Sequence, residues 1–368
     1  MTLPTTTAAW TIPADASSIH NLTKQTLPLP ALGPHQVLIR LRAACLNYRD
    51  ILVATRSPNY PGNHKPNLTL GSDGSGIIHA TGPSSKWAGR EGVKVVLHPN
   101  SWLTGDVRNM RLDRVYGAFD QDGTLAEWKV ADDERVVEFG GHLSAGESSA
   151  LLTAGVTAWS AIREGMDGRL DGNLGQYEGS FSEKRLEGKT VLTMGTGGVS
   201  CFGIQIASAL GAIVIATSSS DSKLEIAKSL GATHTINYAN TPDWDEEVIR
   251  LTKGKGVDQV LEVGGAQTLI KSINSTRAGG LVSLIGILSE SGTLPKEVIP
   301  AVLFGGKIVK GCVAFSRDIT AEFVQFTGEH GIKPVIAKEY GFDEVVQAME
   351  TLQKGEAVGK VVVNIGEE

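Results

Sequence analysis

The chain has 368 residues, 41% of them hydrophobic and 20% charged, with a formal net charge of −6. That length predicts two domains, and that composition is ordinary for a globular protein. The acidic balance and the lack of a basic run argue against a nucleic-acid partner, and no apolar stretch approaches the ~20 residues that a membrane span needs. The opening residues, MTLPTTTAAWTIP, lack the positive start and apolar core of a secretory signal. Three cysteines occur, Cys45, Cys201 and Cys312, and none forms a C-x-x-C pair. They supply neither a disulfide framework nor a thiolate-rich zinc site, so a reducing, cytoplasmic compartment is expected.

Residues 36–42, QVLIRLR, alternate between apolar and polar positions as a half-buried strand does. The segment LNYRD at 46–50 runs into a short helical stretch at 51–53. A loop dense in proline, asparagine and glycine fills 56–70. The glycines of GSDGSG, 71–76, lead into a strand at 77–80, and 93–97 and 125–130 read as further short strands. Residues 1 to about 150 thus predict a β-rich domain with many turns. The apolar segment 150–162, ALLTAGVTAWSAI, predicts a helix that links two domains. Residues 165–188 are polar, glycine-rich and aperiodic, the pattern of a surface insertion.

From residue 189 the pattern changes. A β-branched strand at 190–193 meets a glycine turn, Gly195-Thr196-Gly197-Gly198, and then a helix with Val199, Phe202, Ile206 and Leu210 on one face. Gly211 closes that helix, and a second apolar strand covers 212–217. A βαβ unit with glycines at its first turn is the geometry that cradles a dinucleotide pyrophosphate. Gly195, Thr196, Gly197, Gly198 and Val199 are the candidate phosphate contacts, and Ser200 stands where the third glycine of G-x-G-x-x-G belongs. Strand and helix then alternate. Helices follow Ser220 or Asp221 and Thr241-Pro242, strands occupy 257–263 and 281–285, and a parallel doubly wound sheet is expected. A helix at 342–352 and a strand at 360–363 end the pattern.

The second strand of the βαβ unit also bears on the cofactor. NAD sites usually place a carboxylate at its end, for the ribose 2′-OH. This strand runs instead into Ser218, Ser219 and Ser220, with Lys223 following. Hydroxyl donors and a lysine welcome a 2′-phosphate, so NADPH (NADP) is expected. Turn and capping chemistry is the plainer reading of these serines, and both uses can coexist. Asp221 is the acid nearby and fits as a first-turn helix residue.

LNYRD, GSDGSG, TAGVTAW at 153–159, GTGGVS at 195–200, LEVGG at 261–265 and SLIGIL at 283–288, in this order, resemble the medium-chain dehydrogenase/reductase superfamily over nearly the whole chain. The resemblance implies an α/β protein. A GroES-like β-rich catalytic domain, residues 1–155 and 315–368, would be interrupted by a Rossmann doubly wound parallel-sheet domain, residues 156–314. At the positions of the zinc ligands of zinc-dependent members stand Asn47, Ser72-Asp73 and Ala154. Cys45 lies two residues too early, and residues 98–122 contain no cysteine for a structural zinc lobe. The resemblance is thus to the zinc-independent, quinone-oxidoreductase-like and alcohol-dehydrogenase-like branch, with no metal. Such proteins move a hydride between a nicotinamide cofactor and a carbonyl, a quinone or an activated alkene of a small molecule.

What it implies for the site follows. Tyr48 is the expected proton donor and Asn47 the residue that orients the substrate oxygen, against the alternative that both are loop packing. Asp50 joins them as a catalytic-loop residue that holds the loop more than it does chemistry. Ser72 and Asp73 face the same site, and His64 lies in the loop that rims it, where an ordinary surface histidine is expected. Thr157, Gly264, Gly286 and Leu288 are the expected nicotinamide contacts, and Ser316 and Arg317 are expected to close over the cofactor, with Arg317 equally readable as a surface charge. The strand at 305–313 implies a homodimer through extension of the Rossmann sheets. Two other readings stay open: an enoyl reductase of a secondary-metabolite pathway, and a non-catalytic NADPH-binding regulator.

Overall fold

The computed structural model describes residues 3–60, 62–168, 180–288 and 293–366. The chain folds as two compact units, Met1–Ala154 with Ser316–Glu368, and Gly155–Phe315. Together they give the expected α/β fold, a GroES-like β-rich unit and a Rossmann-like unit with a parallel sheet. No helix among the described residues is long and apolar enough to cross a membrane.

In the first unit, one sheet runs in the order Ile336–Gly341, Lys360–Asn364, Gln36–Leu46, Asp73–Thr81, Lys94–Leu97 and Val136–Glu138. The strand Trp128–Asp132 also pairs with Gln36–Leu46. A smaller sheet joins Thr23–Pro28, Thr6–Ile12 and Leu68–Thr69. The two-residue period of Lys360–Asn364 divides its side chains between two cores. Val361 and Val363 join Leu46 and Ala44 on one face, while Val362 joins Cys45, Ala43 and Ala150 on the other. This strand lies antiparallel to Gln36–Leu46 with Val361 opposite Leu46. One further step of that register sets Lys360 against Asn47.

Among the described residues of the second unit, every strand pairing in the sheet is parallel. The order is His234–Asn237, Ile213–Ser218, Thr190–Met194, Val257–Glu262, Thr276–Leu284 and Ile308–Gly311. The chain thus reverses direction across the sheet at Thr190–Met194, the switch point beside which doubly wound sheets bind ligands. Leu192, Ile215, Val260 and Val282 from successive strands meet in one apolar core.

Several local expectations shift. The helix read at 150–162 is a short helix Ala145–Ala150, a π-helical turn Leu151–Val156 and a helix Thr157–Asp167, and the unit boundary falls inside that turn. Residues 169–179 of the expected insertion lie outside the described residues. Its first residues are helical rather than loop. Arg163, 1% exposed, pairs with Asp167 one turn on at 2.8 Å, Arg185 reaches the same carboxylate at 3.0 Å, and Gly168 ends the helix at φ 68°. Arg317–His330 is a helix that apolar spacing alone did not suggest, although Ile319, Phe323 and Phe326 are buried along one face.

Residues 98–122 carry only short 3₁₀ turns and are fixed by buried polar side chains. His98 bonds Thr320 Oγ1 at 3.0 Å through Nδ1, and Asn100 Oδ1 and the Trp102 carbonyl at 3.1 Å through Nε2. Burial, reinforced by Arg135, pushes its pKa down to about 3, so the ring is neutral. The Tyr116 ring lies between two cations, with Lys129 Nζ 3.9 Å and the Arg135 guanidinium 3.4 Å from its centroid. Burial, with Arg135 adding repulsion, pushes Lys129 down to about 7. A depressed lysine pKa means that the folded state binds fewer protons than the unfolded state between that value and the usual lysine range. Stability is therefore gained as pH rises from about 7 and lost as it falls back. Lys129→Met should flatten this slope and raise stability at pH 6 by about 1 kcal/mol or more, because a buried charge is exchanged for an apolar chain of similar length. Urea unfolding midpoints of both proteins at pH 6, 8 and 10 provide the measurement. A parallel pH dependence in the two proteins would refute the assignment to Lys129.

Candidate functional site

The polar centre of the first unit is built where LNYRD leaves the strand Gln36–Leu46 and enters the helix Tyr48–Ala54. Asn47 occupies the N-cap position, where an asparagine side chain ordinarily accepts from the first amides of its helix. It makes no such bond. Asp50 instead reaches back from the third helical position to the Asn47 N–H at 2.8 Å, and the Asn47 carboxamide is left for other partners. Its Nδ2 donates to Ser72 Oγ at 3.3 Å and to the Cys45 carbonyl at 3.4 Å, and its Oδ1 accepts from Lys360 Nζ at 2.5 Å.

The network continues through Ser72, whose hydroxyl donates to Asp73 Oδ1 at 2.8 Å. Asp73, fully buried, also accepts from the Thr153 N–H at 2.9 Å and the Thr153 hydroxyl at 2.5 Å. Asn47, Ser72 and Asp73, expected at one site, are thus brought together. Tyr48 stands beside them at the first helical position, 41% exposed, with its hydroxyl-bearing ring toward open space.

Asp50 lies beneath the site rather than in it. It is 0% exposed, and Arg49 Nη1 pairs with its Oδ1 at 3.0 Å. Burial pushes its pKa up to about 6, opposed by Arg49 and the Asn47 N–H. Its carboxylate is committed to the loop, the holding role rather than the chemical one. Arg49 then ties the loop to the carbonyls of Tyr116 and Gly117 at 3.1 and 3.2 Å. His64 is a packed residue rather than a surface one, 8% exposed between Tyr60 and Phe119, and its Nδ1 accepts from the Phe119 N–H at 2.9 Å. Burial in that aromatic loop holds its pKa below the usual histidine range.

These residues do not fit a zinc ion. Zinc takes neutral imidazole, thiolate or carboxylate ligands. Asn47, Ser72 and Ala154 offer none of these, the Asp73 carboxylate is filled by hydroxyl and amide donors, and the Lys360 ammonium already sits on Asn47 Oδ1. No cluster of three His, Cys, Asp or Glu side chains suited to a metal occurs among the described residues.

The second unit holds the glycine turn expected between its first strand and helix. Gly195 sits at φ 70°, a left-handed conformation that disfavours side chains, between the strand Thr190–Met194 and the helix Gly198–Ala209. A Cβ on Gly195 or Gly197 would meet nothing within 4 Å, so the turn's outer side is open to a ligand. No side chain caps the helix at Gly197, which leaves the amides from Gly198 and Val199 onward for an anion. Thr196 is buried beside them. Ser200, the departure from the glycine signature, donates to the Met194 carbonyl at 2.6 Å and pins the turn to its strand. At the second strand's end Ser218 is buried, Ser219 is exposed and Lys223 half-buried. Asp221 accepts from Asn237 Nδ2 at 2.7 Å.

Glu262 organises the loop that follows the strand Val257–Glu262, a role the sequence did not suggest. Its buried carboxylate accepts from the N–H groups of Gly264 and Gly265 at 2.7 and 3.0 Å, from the Thr268 hydroxyl at 2.7 Å and from the Ser272 hydroxyl. Gly286 passes so close that a Cβ there would lie 2.1 Å from the Val263 carbonyl oxygen. Thr157 opens its helix half-buried, and Leu288 is 53% exposed. Ser316 and Arg317 belong to the first unit. Ser316 caps the helix Arg317–His330 by accepting from the Ile319 N–H at 3.4 Å. The Arg317 side chain pairs with Asp318 and lines a first-unit cavity of about 510 Å³ with Lys86, Trp87 and His142.

Glu262→Gln is expected to weaken nicotinamide cofactor binding about tenfold and to cost about 1–3 kcal/mol of stability, because an amide NH₂ would face donors that need an acceptor. Fluorescence titration with the cofactor and thermal unfolding check this. Unchanged affinity would show that the loop does not depend on the carboxylate.

Comparison with known proteins identifies the family. Residues 33–141 match the alcohol dehydrogenase GroES-like domain and residues 198–329 the zinc-binding dehydrogenase family. A zinc-type alcohol dehydrogenase-like protein of Schizosaccharomyces pombe is 34% identical over 336 residues, 91% of this chain and 92% of its own length. The crystal structure of a candidate alcohol dehydrogenase from Sinorhizobium meliloti matches with a TM-score of 0.84 and 32% identity, covering 99% of this chain and 100% of that one. That of an NAD-dependent alcohol dehydrogenase matches with a TM-score of 0.83 and 30% identity, covering 98% and 100%. The chain therefore belongs to the medium-chain dehydrogenase/reductase superfamily, in its alcohol-dehydrogenase-like and quinone-oxidoreductase-like branch, as an oxidoreductase served by a nicotinamide cofactor.

Proposed function

We propose that the protein is a zinc-independent, NADPH-dependent reductase of a small-molecule carbonyl, quinone or activated alkene. The observation that carries the cofactor choice is the end of the strand Ile213–Ser218. Ser219 is exposed there, Lys223 follows one helical turn into Asp221–Ser229, and the nearby acid Asp221 is engaged by Asn237. A 2′-phosphate would find a hydroxyl and an ammonium in place of a repelling carboxylate. The similar alcohol dehydrogenase described as NAD-dependent is named for the other cofactor, so the choice rests on this chain's own residues.

When bound, a reduced nicotinamide supplies a hydride. Asn47 Nδ2–H would turn from Ser72 Oγ to the substrate oxygen as negative charge develops on it, and the exposed Tyr48 hydroxyl would deliver the proton. Asp50 and Arg49 keep these two residues in register by fixing the helix start. Absence of zinc from the mechanism is supported by the donor set, in which Asn47 Oδ1 already accepts from the Lys360 ammonium.

A homodimer is supported by the edge of the second unit. Ile299, Leu303 and Phe304 on the helix Val298–Gly305 are 72%, 68% and 86% exposed, beside the edge strand Ile308–Gly311. Apolar side chains next to an unpaired strand edge suit pairing with a second copy. All three cysteines are free thiols, which suits a reducing, cytoplasmic compartment.

Steady-state loss of NADPH absorbance with a panel of aldehydes, enones and quinones tests the activity. Turnover of at least one class is expected, whereas tight NADPH binding with no turnover of any would point to a regulator. NADPH should bind at least about tenfold more tightly than NADH, a difference of about 1.4 kcal/mol, and Lys223→Asp should reverse the order. A wild-type preference for NADH would sink the cofactor assignment, and stoichiometric zinc by elemental analysis would sink the metal-free one. Phe304→Asp should shift the mass measured by light scattering from dimer to monomer.

A further inference from the structure

Lys360 begins the final strand and is only 5% exposed, a rare environment for a strongly hydrated ammonium. It is held there by the Leu46 carbonyl at 2.9 Å and by Asn47 Oδ1 at 2.5 Å. An ammonium carries donors only, so it can meet only the oxygen end of a carboxamide. The amide nitrogen of Asn47 must then point the other way, toward Ser72 Oγ and the Cys45 carbonyl. Those two contacts, 3.3 and 3.4 Å, are longer than the ~2.9–3.0 Å of a settled N–H···O bond, so the donor is aimed without being tightly spent. A charge-assisted bond at Oδ1 also draws electron density from the amide, which strengthens its N–H groups as donors. Arg49, the other cation of this loop, is engaged by Asp50, Tyr60 and the carbonyls of Tyr116 and Gly117.

We infer that Lys360 is a positioning residue of the reductase site, which orients and polarises Asn47 so that its Nδ2–H is offered to the substrate oxygen. The cation meets Asn47, which by resemblance stands at a zinc-ligand position of zinc-dependent relatives, and it acts through the amide rather than on the substrate. This deepens the proposed function and rests on the donor role given there to Asn47.

A double-mutant cycle with Lys360→Met and Asn47→Ala tests it, using kcat, KM and NADPH affinity on the full chain with a substrate found in the panel. Each single variant should lower kcat at least about tenfold, and the double variant should be no slower than Asn47→Ala alone, because residues acting as one unit are non-additive. NADPH affinity should stay within about twofold of wild type, since an energy difference that small is under ~0.5 kcal/mol. Lys360→Arg, which keeps a donor-only cation, should recover part of the lost kcat. If Lys360→Met does not fold, Lys360→Gln carries the same cycle, keeping a hydrogen bond to Oδ1 without the charge. Losses that multiply in the double variant, an unchanged kcat in the lysine variant, or a defect confined to NADPH affinity would each overturn the inference. An unchanged kcat in Asn47→Ala would instead remove the donor role of Asn47 on which it rests.

Discussion

The antiparallel pairing of Lys360–Asn364 with Gln36–Leu46 is the constraint from which the rest of the first unit follows. It closes the β-rich unit around a chain that leaves at Ala154 and returns at Ser316. It divides Val361, Val362 and Val363 between two cores, and it fixes which residue stands opposite the end of the LNYRD strand. A slip of one residue would exchange the faces of the three valines and withdraw the ammonium from Asn47. The register is therefore defended by hydrophobic burial on both sides of the sheet, and the polar centre inherits that precision without supplying it.

The same division of labour appears in the second unit. Its glycine turn is made by backbone, through Gly195 and an uncapped helix start, while the side chains around it serve to hold backbone in place. Ser200 pins the turn to Met194, and Glu262 gathers the amides and hydroxyls of the next loop. A buried carboxylate is tolerable there because each oxygen is met by donors, which offsets the loss of water. In the first unit the charges of Asp50, Arg49 and Lys360 are likewise answered by partners rather than by solvent.

The α/β class and the doubly wound rhythm were legible in the sequence because burial on a parallel sheet leaves continuous apolar runs, and tight turns leave glycines. Asn47, Ser72 and Asp73 were legible as neighbours through resemblance, and the structure joins them by hydrogen bonds. Lys360 was not, because a lysine at a strand start reads as a solvated end. Only the pairing of residues 313 positions apart shows that it is buried. Glu262 was hidden for a related reason, since the donors it serves lie on the turn that follows and leave no period in the sequence. Ser316 and Arg317 were read as a loop, and the structure makes them the cap and the first residue of a helix. The helix itself, with Ile319, Phe323 and Phe326 inward, was obscured by its threonines and Gly328.

The separation of Lys360 from Asn47 also sets a timetable for the newly made protein. A ribosome adds about 5–20 residues each second, so Asn47 waits on the order of 15–60 s before the lysine that faces it has been made. During that interval the whole Rossmann-like unit is synthesised and has time to fold, while the strand Gln36–Leu46 has one edge without its final partner. The nascent chain can therefore acquire its glycine turn before its polar centre around Asn47 is complete. Cofactor, if present, could meet a chain that is not yet an enzyme.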